Sequence, residues 1–277
     1  MGIEYLPGIA PGAKINLSQF DKAPKLPAPE TYLPALNVRL KSLSERLNEN
    51  HGDFMDSNGQ IKMAGPEAES HQILINAKEK AWADESGKSI EAMKADREKN
   101  PANIAEIATT LLFDKVLRDE FIVMRASAYD DYENGADQLI IDKRTGAVIC
   151  GLDDAVLGSF DKDQDIKKHK IDAKMKHGGA RIEYGATVSA GKLARQKLEN
   201  IPIFYFNLNK AELSSLLKSL TSDAPELSEA ERSTYAGLIS SLSAQAEQYG
   251  ADQTLRVELK NNLKSFAPSL EKMKAKI

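Results

Sequence analysis

The chain has 277 residues, 42% hydrophobic and 28% charged, the proportions of a soluble globular protein with room for one large domain or two modest ones. Its net charge of −4 argues against a protein that coats nucleic acid indiscriminately. No apolar run reaches the ~18 residues of a membrane span, and the first residues carry neither the basic nor the apolar region of a secretory signal, so membrane and secreted roles are not expected.

Six of the eleven prolines fall within residues 1–34, which forbids a regular helix there and predicts an extended arm, strapped down through Tyr5, Phe20 and Tyr32. From Pro34 the spacing of Leu36, Leu40, Leu43 and Leu47 predicts a helix ending near His51-Gly52. Asn58-Gly59 marks a turn. Residues 66–97 read as helical, with Ile73, Leu74, Ala77, Ala81 and Trp82 on the buried side. Asn100-Pro101 breaks the chain, and a second apolar helix follows to about Arg118.

Phe121–Arg125 reads as a short strand, and residues 136–142 and 147–153 as a hairpin closed by Gly146. The basic stretch after Asp154 is predicted helical through Lys176 and stopped by Gly178-Gly179. Residues 180–188 and 192–198 read as strands, expected to join the same sheet, with Ile201–Phe206 its apolar central strand. Helices are predicted over about 209–220, 228–249 and 251–274. No internal repeat is visible.

This order predicts an α+β (mixed α/β) chain with a small mixed sheet wrapped by N- and C-terminal helices. Four stretches are expected: the arm 1–34, a helical region 35–99, an α/β core 100–208 and a helical region 209–277.

The acids of the hairpin carry the most information. A three-residue loop with Gly146 left-handed pairs Lys143 with Ala147, and counting outward sets Asp137 opposite Asp153 on one face of the sheet. Like charges so placed destabilise a strand pair, so a cation, a proton or a function is expected there. The next element is strongly basic, with seven Lys/Arg against three Asp between Lys162 and Arg181. Cations beside a carboxylate pair suit a phosphate ester.

A helix with Glu106, a strand, a strand entered through Gly135-Ala136-Asp137, a strand ending at Asp153, a helix and a strand together resemble the core of the PD-(D/E)XK nuclease superfamily, over about residues 100–208. The hairpin is also similar to one in a bacterial family with a Tyr-Asp-Asp…Asn-Gly-x-Asp…Asp-x-x-Thr-Gly pattern, to which no activity attaches. The superfamily resemblance implies a restriction-endonuclease-like core in which Asp137 and Asp153 hold Mg²⁺, with Glu106 as an outer or third ligand.

The superfamily pattern closes with acid-x-Lys, whereas this chain has Asp153-Asp154-Ala155. The resemblance then implies either a migrated lysine (Lys167, Lys168 or Lys170) or a scaffold that has lost catalysis. A chance acidic hairpin on an unrelated fold is the third alternative. In a live site the metal would polarise the phosphate and lower the pKa of a bound water, a lysine would offset developing charge, and Asp131 would brace the site.

Other constellations fail. Asp161-x-Asp163-x-Asp165 lacks the glycine and bidentate glutamate of a calcium loop, and the four histidines have no zinc spacing. No phosphate-binding glycine loop is present. Cys150, the only cysteine, excludes an internal disulfide, fits a reducing cytoplasm and by parity faces away from Asp153 as a buried thiol. Phe204-Tyr205-Phe206 reads as core packing before base stacking. Two functions from different classes therefore stand: a Mg²⁺-dependent nuclease or phosphodiesterase acting on nucleic acid, and a non-catalytic interaction protein docking a protein partner through its Pro-rich arm or C-terminal helices.

Overall fold

The computed structural model describes residues 26–156, 162–222 and 224–276. Tyr5, Phe20 and most of the Pro-rich arm lie outside these residues, as do the side chains of Asp154, Asp161, Asp163 and Asp165. Tyr32 is buried, and α1 (Leu33–His51) follows with Leu36, Leu40, Leu43 and Leu47 facing inward. Asn58-Gly59 turns the chain between the bridged residues Met55 and Ile61.

The predicted helical stretch 66–97 is two helices, α2 (Ala68–Ser86) and α3 (Ile90–Glu98), divided at Gly87 in the left-handed region. The expected buried face of α2 is corrected. The helix packs through Ile75, Glu79 and Ala83, an i, i+4 row, while Ile73 and Leu74 are 63% and 47% exposed and Ala77, Ala81 and Trp82 also face solvent. Glu79 sits inside because it has partners, Lys94 at 2.8 Å and the Tyr132 hydroxyl at 3.2 Å.

α4 (Pro101–Leu117) starts where the sequence requires. The Asn100 side chain accepts from the Ala102 amide at 2.9 Å, and Pro101 occupies the first turn, where no amide is needed. This helix is buried on nearly every side. After it come β1 (Phe121–Arg125), β2 (Gln138–Asp142), β3 (Val148–Val156), α5 (Lys162–Lys176), β4 (Ala180–Ser189), β5 (Lys192–Ile201) and β6 (Ile203–Leu208). α6 (Lys210–Leu220), α7 (Glu229–Ala251) and α8 (Val257–Lys274) complete the chain.

The fold class is α+β. A four-stranded mixed sheet has the order β1-β2-β3-β6, with β1, β2 and β3 an antiparallel meander and β6 parallel to β3. β4 and β5 do not join it, contrary to the sequence expectation, but form their own two-stranded sheet. Both positions beside the meander are at least partly taken. β6 takes the outer edge of β3 from Gly151 to Val156, and at the far side Arg125 of β1 bridges Gln60. β6 is correspondingly an edge strand and not central.

That edge is covered. The Gln245 side chain of α7 accepts from the Tyr205 amide at 3.1 Å and donates to the Tyr205 carbonyl at 2.8 Å, so an amide group stands in for a neighbouring strand. Phe204 and Phe206 are buried, Phe206 stacking on Phe113 and Phe204 meeting Phe266 of α8. Their role is core packing. Cys150 is fully buried, and burial pushes its thiol far above the ordinary range. No helix among the described residues is long and apolar enough to cross a membrane.

The hairpin loop differs by one residue from the sequence reading. Asp142, not Lys143, closes it, donating its amide to the Ala147 carbonyl at 3.1 Å. A bulge between Ile140 and Ile141 then restores the count, so Ile140 pairs Cys150 and Gln138 pairs Leu152 as the acid register demands. Gly146 is left-handed, at φ 72°.

Candidate active site

The site grows from a turn. After β1 the chain makes a single π-turn, Asp130–Asn134, that ends on Gly135 at φ 55°, a conformation glycine adopts freely. A Cβ at Gly135 would also stand 3.0 Å from Lys174 Nζ and 3.9 Å from Asp153 Oδ2, so backbone and space both select glycine. Asp130 supports the turn from inside. Its carboxylate is fully buried and accepts from Asn134 Nδ2 at 2.7 Å and from the amides of Glu183 and Tyr184 at 2.7 and 2.9 Å. It is an anchor for β4 and is consumed by that role.

Asp137 follows the turn with its main chain held on both sides. Its amide donates to the Leu152 carbonyl at 2.8 Å, and its carbonyl accepts from the Ala126 amide at 2.8 Å. The register that pairs Gln138 with Leu152 carries Asp137 opposite Asp153, as the alternation of the hairpin predicts. The two side chains hydrogen-bond each other and are only 6% and 13% exposed. Burial, reinforced by the charge of Asp137, pushes the Asp153 carboxyl up to about 7 against the pull of Lys167.

Lys167 enters from α5. Its ammonium contacts Asp153 Oδ1 directly and lies 3.8 Å from Asp137 Oδ2, with the side chain 28% exposed at the mouth of the site. Of the three lysines expected there, this one is brought to the acids. Lys168 is turned away to Asp172, at 2.6 Å, which also accepts from the Tyr249 hydroxyl at 2.7 Å. Lys170 is exposed on the outer face of α5.

Sequence reasoning missed Lys174. It lies seven residues after Lys167 and therefore on the same helix face, which is the signal that could have found it. Its ammonium binds the Asn134 carbonyl and, at 3.3 Å, the Gly135 carbonyl. Burial draws its pKa down while Asp153 and Asp137 pull it back up. Lys174 thus fastens the turn that delivers Asp137 to the helix that delivers Lys167.

Asp131 and Glu106 complete the surroundings. Asp131 accepts from Arg97 Nη2 at 2.9 Å, and burial together with Asp137 pushes its carboxyl up to about 6. Glu106 Oε2 is held by Arg125 Nη2 at 3.0 Å. Among the described residues no group of three or more potential ligands forms, so Glu106 does not complete a three-ligand set with Asp137 and Asp153.

The pair itself suits a divalent ion. Mg²⁺ needs hard oxygen ligands, typically takes one or two carboxylates and keeps several waters. Burial and the neighbouring Asp137 push the Asp153 carboxyl up to about 7, and the Lys167 ammonium beside both acids partly relieves them. Comparisons with protein-family models, curated protein sequences and solved structures return no match for this chain.

Proposed function

We propose that the chain is a metal-dependent phosphodiesterase acting on nucleic acid, with Asp137 and Asp153 as the Mg²⁺ ligands and Lys167 in place of the lysine that the acid-x-Lys pattern would set at position 155. The observation that carries this reading is the Lys167 ammonium set against both carboxylates. Support for the PD-(D/E)XK resemblance comes from a helix, an antiparallel meander, a helix and, after the separate β4–β5 pair, a strand parallel to β3, although a shared arrangement of elements does not by itself assign chemistry.

A divalent ion bound there would polarise the scissile phosphate and lower the pKa of a water. Asp137 and Asp153 would present the oxygens that hold it. Lys167, at the mouth beside both carboxylates, would meet an incoming phosphate and offset the charge that builds on it. Lys174 keeps the Asn134–Gly135 carbonyls, and hence Asp137, in position.

Calorimetric titration with Mg²⁺ or Mn²⁺ tests the reading. Wild type should bind, and near pH 6 should release a proton, because Asp153 must ionise before it can serve as a ligand. Asp137→Asn should lose the binding. Lys167→Met should keep the metal and lose roughly 10²-fold or more in cleavage of a single- or double-stranded substrate. No metal binding by wild type at pH 8 overturns the assignment.

The second reading, an interaction protein, draws on the outward Ile73, Leu74 and Trp82 of α2. It expects no nucleic-acid binding by the parent protein, which a filter-binding titration at two salt concentrations decides.

A further inference from the structure

The oxygens of Asp137 and Asp153 that would bind a metal already face a cation of the chain itself. The Lys167 ammonium touches Asp153 Oδ1 and lies 3.8 Å from Asp137 Oδ2, so one charged nitrogen serves both carboxylates. A Mg²⁺ ion shared by the pair would need the same oxygens, at about 2.1 Å each. Both cations cannot stay there, because they would stand side by side in a buried place where their repulsion is poorly screened. Metal and ammonium are alternative occupants of one site.

The two lysines that α5 sends to the site differ in what holds them. Lys174 binds the Asn134 carbonyl and, at 3.3 Å, the Gly135 carbonyl, main-chain groups that a metal on the acids would leave in place. Lys167 is held by the carboxylates, and its side chain is 28% exposed at the mouth. A lysine head rides on a flexible four-carbon stem, so it can turn outward without any movement of the helix. The charges favour such an exchange. Lys174 aside, two carboxylates against one ammonium leave a single negative charge, and a divalent ion in the ammonium's place leaves none. The freed ammonium then matches the single negative charge of a phosphodiester.

We propose that Lys167 is a built-in cation that occupies the acid pair until a divalent metal displaces it, and that the displaced ammonium is the one presented to the substrate phosphate. The second half rests on the phosphodiesterase reading, whereas the first needs only the metal. Without metal the site is self-inhibited, since the contact that stabilises the acids also blocks their use as ligands.

Calorimetric titration with Mn²⁺ at pH 8.5 measures the competition. Lys167→Met should bind the ion roughly tenfold or more tighter than wild type, because no charge-assisted bond has to break first. Lys167→Arg should bind it more weakly, because a guanidinium grips carboxylates through two parallel bonds. Lys170→Met removes an equal charge from the outer face of the same helix and should stay within about twofold of wild type, which separates displacement from long-range repulsion. A second readout follows the amine directly. Acetylation of wild type by an activated ester, read by peptide mass spectrometry, should speed up severalfold at Lys167 when Mn²⁺ is added and stay unchanged at Lys174.

Equal or weaker binding by Lys167→Met overturns the exchange and leaves the metal assignment standing, and so does a Lys167 amine that stays protected in the metal-loaded protein. Metal binding by Lys167→Met with none by wild type upholds Lys167 as the occupant and removes the phosphodiesterase. Exchange without cleavage of any nucleic acid likewise removes only the phosphodiesterase. Absence of metal binding by both proteins removes both proposals.

Discussion

Asp153 carries the sharpest consequence of the site's electrostatics. Its folded-state pKa is raised from the ordinary 3.8 to about 7, by burial first and by Asp137 second. Below about pH 4 the carboxyl is protonated in folded and unfolded chains alike, so it costs nothing there. Between that point and about 7 the unfolded chain ionises first, and stability falls as pH rises through the window. Asp153→Asn should therefore raise stability and Tm at pH 8, by at most about 4 kcal/mol less whatever is lost at Lys167, with the gain fading toward pH 4. Thermal melts of both proteins across that range check it, and a mutant less stable than wild type at pH 8 would contradict it. Gly135→Ala should cost about 1–2 kcal/mol through its left-handed backbone and should also displace Lys174, weakening metal binding without touching a ligand. The two acids were legible in the chain because alternation on a strand is strict, and the basic run of Lys167, Lys168 and Lys170 because it falls on the next helix, although the sequence did not say which of the three meets the acids. Arg97 and Arg125 were not, since they reach the site from α3 and β1 through contacts between residues far apart in sequence.

The elements themselves were largely legible, and their partners were not. Leucine spacing located α1, Asn100-Pro101 the start of α4, and Gly178-Gly179 the end of α5, because caps and breakers act locally. The face of α2 and the place of β6 depend instead on which surfaces arrive, and there local pattern misled. Burying Glu79 in preference to Ile73 follows from Lys94 and Tyr132 meeting it. The apolar density of Ile201–Phe206 suggested a central strand, yet β6, Ile203–Leu208, lies at an edge that the Gln245 side chain covers. Gln245→Ala should expose the Tyr205 amide and carbonyl at that edge, cost about 1–3 kcal/mol and make the protein prone to edge-to-edge association. Urea unfolding should show a lower midpoint with an unchanged slope. An unaltered midpoint would mean that α7 covers the edge without the amide.

The four stretches that composition suggests share one interior. Buried side chains form a continuous cluster from Tyr32 of the N-terminal region to Met273 of α8. Phe113 of α4 meets Phe206 of β6 on one side and Tyr235 of α7 on the other, and Phe204 packs on Phe266 and Tyr249. The hairpin end opposite the acids depends equally on α8: Asp142, 1% exposed, accepts from Ser269 at 3.1 Å and Lys272 at 3.2 Å as well as from its own loop. Deleting α6–α8 would thus uncover both phenylalanines of β6, the Tyr205 edge and a buried carboxylate at once. Residues 100–208 alone should fail to fold, and the whole chain should unfold in a single transition by fluorescence and by circular dichroism. The measurement is an amide correlation spectrum of the 100–208 fragment, expected to be narrow and undispersed. A dispersed spectrum, or two separate transitions in the full chain, would show that the sheet and its acid pair form a unit of their own, with the C-terminal helices as an addition to it.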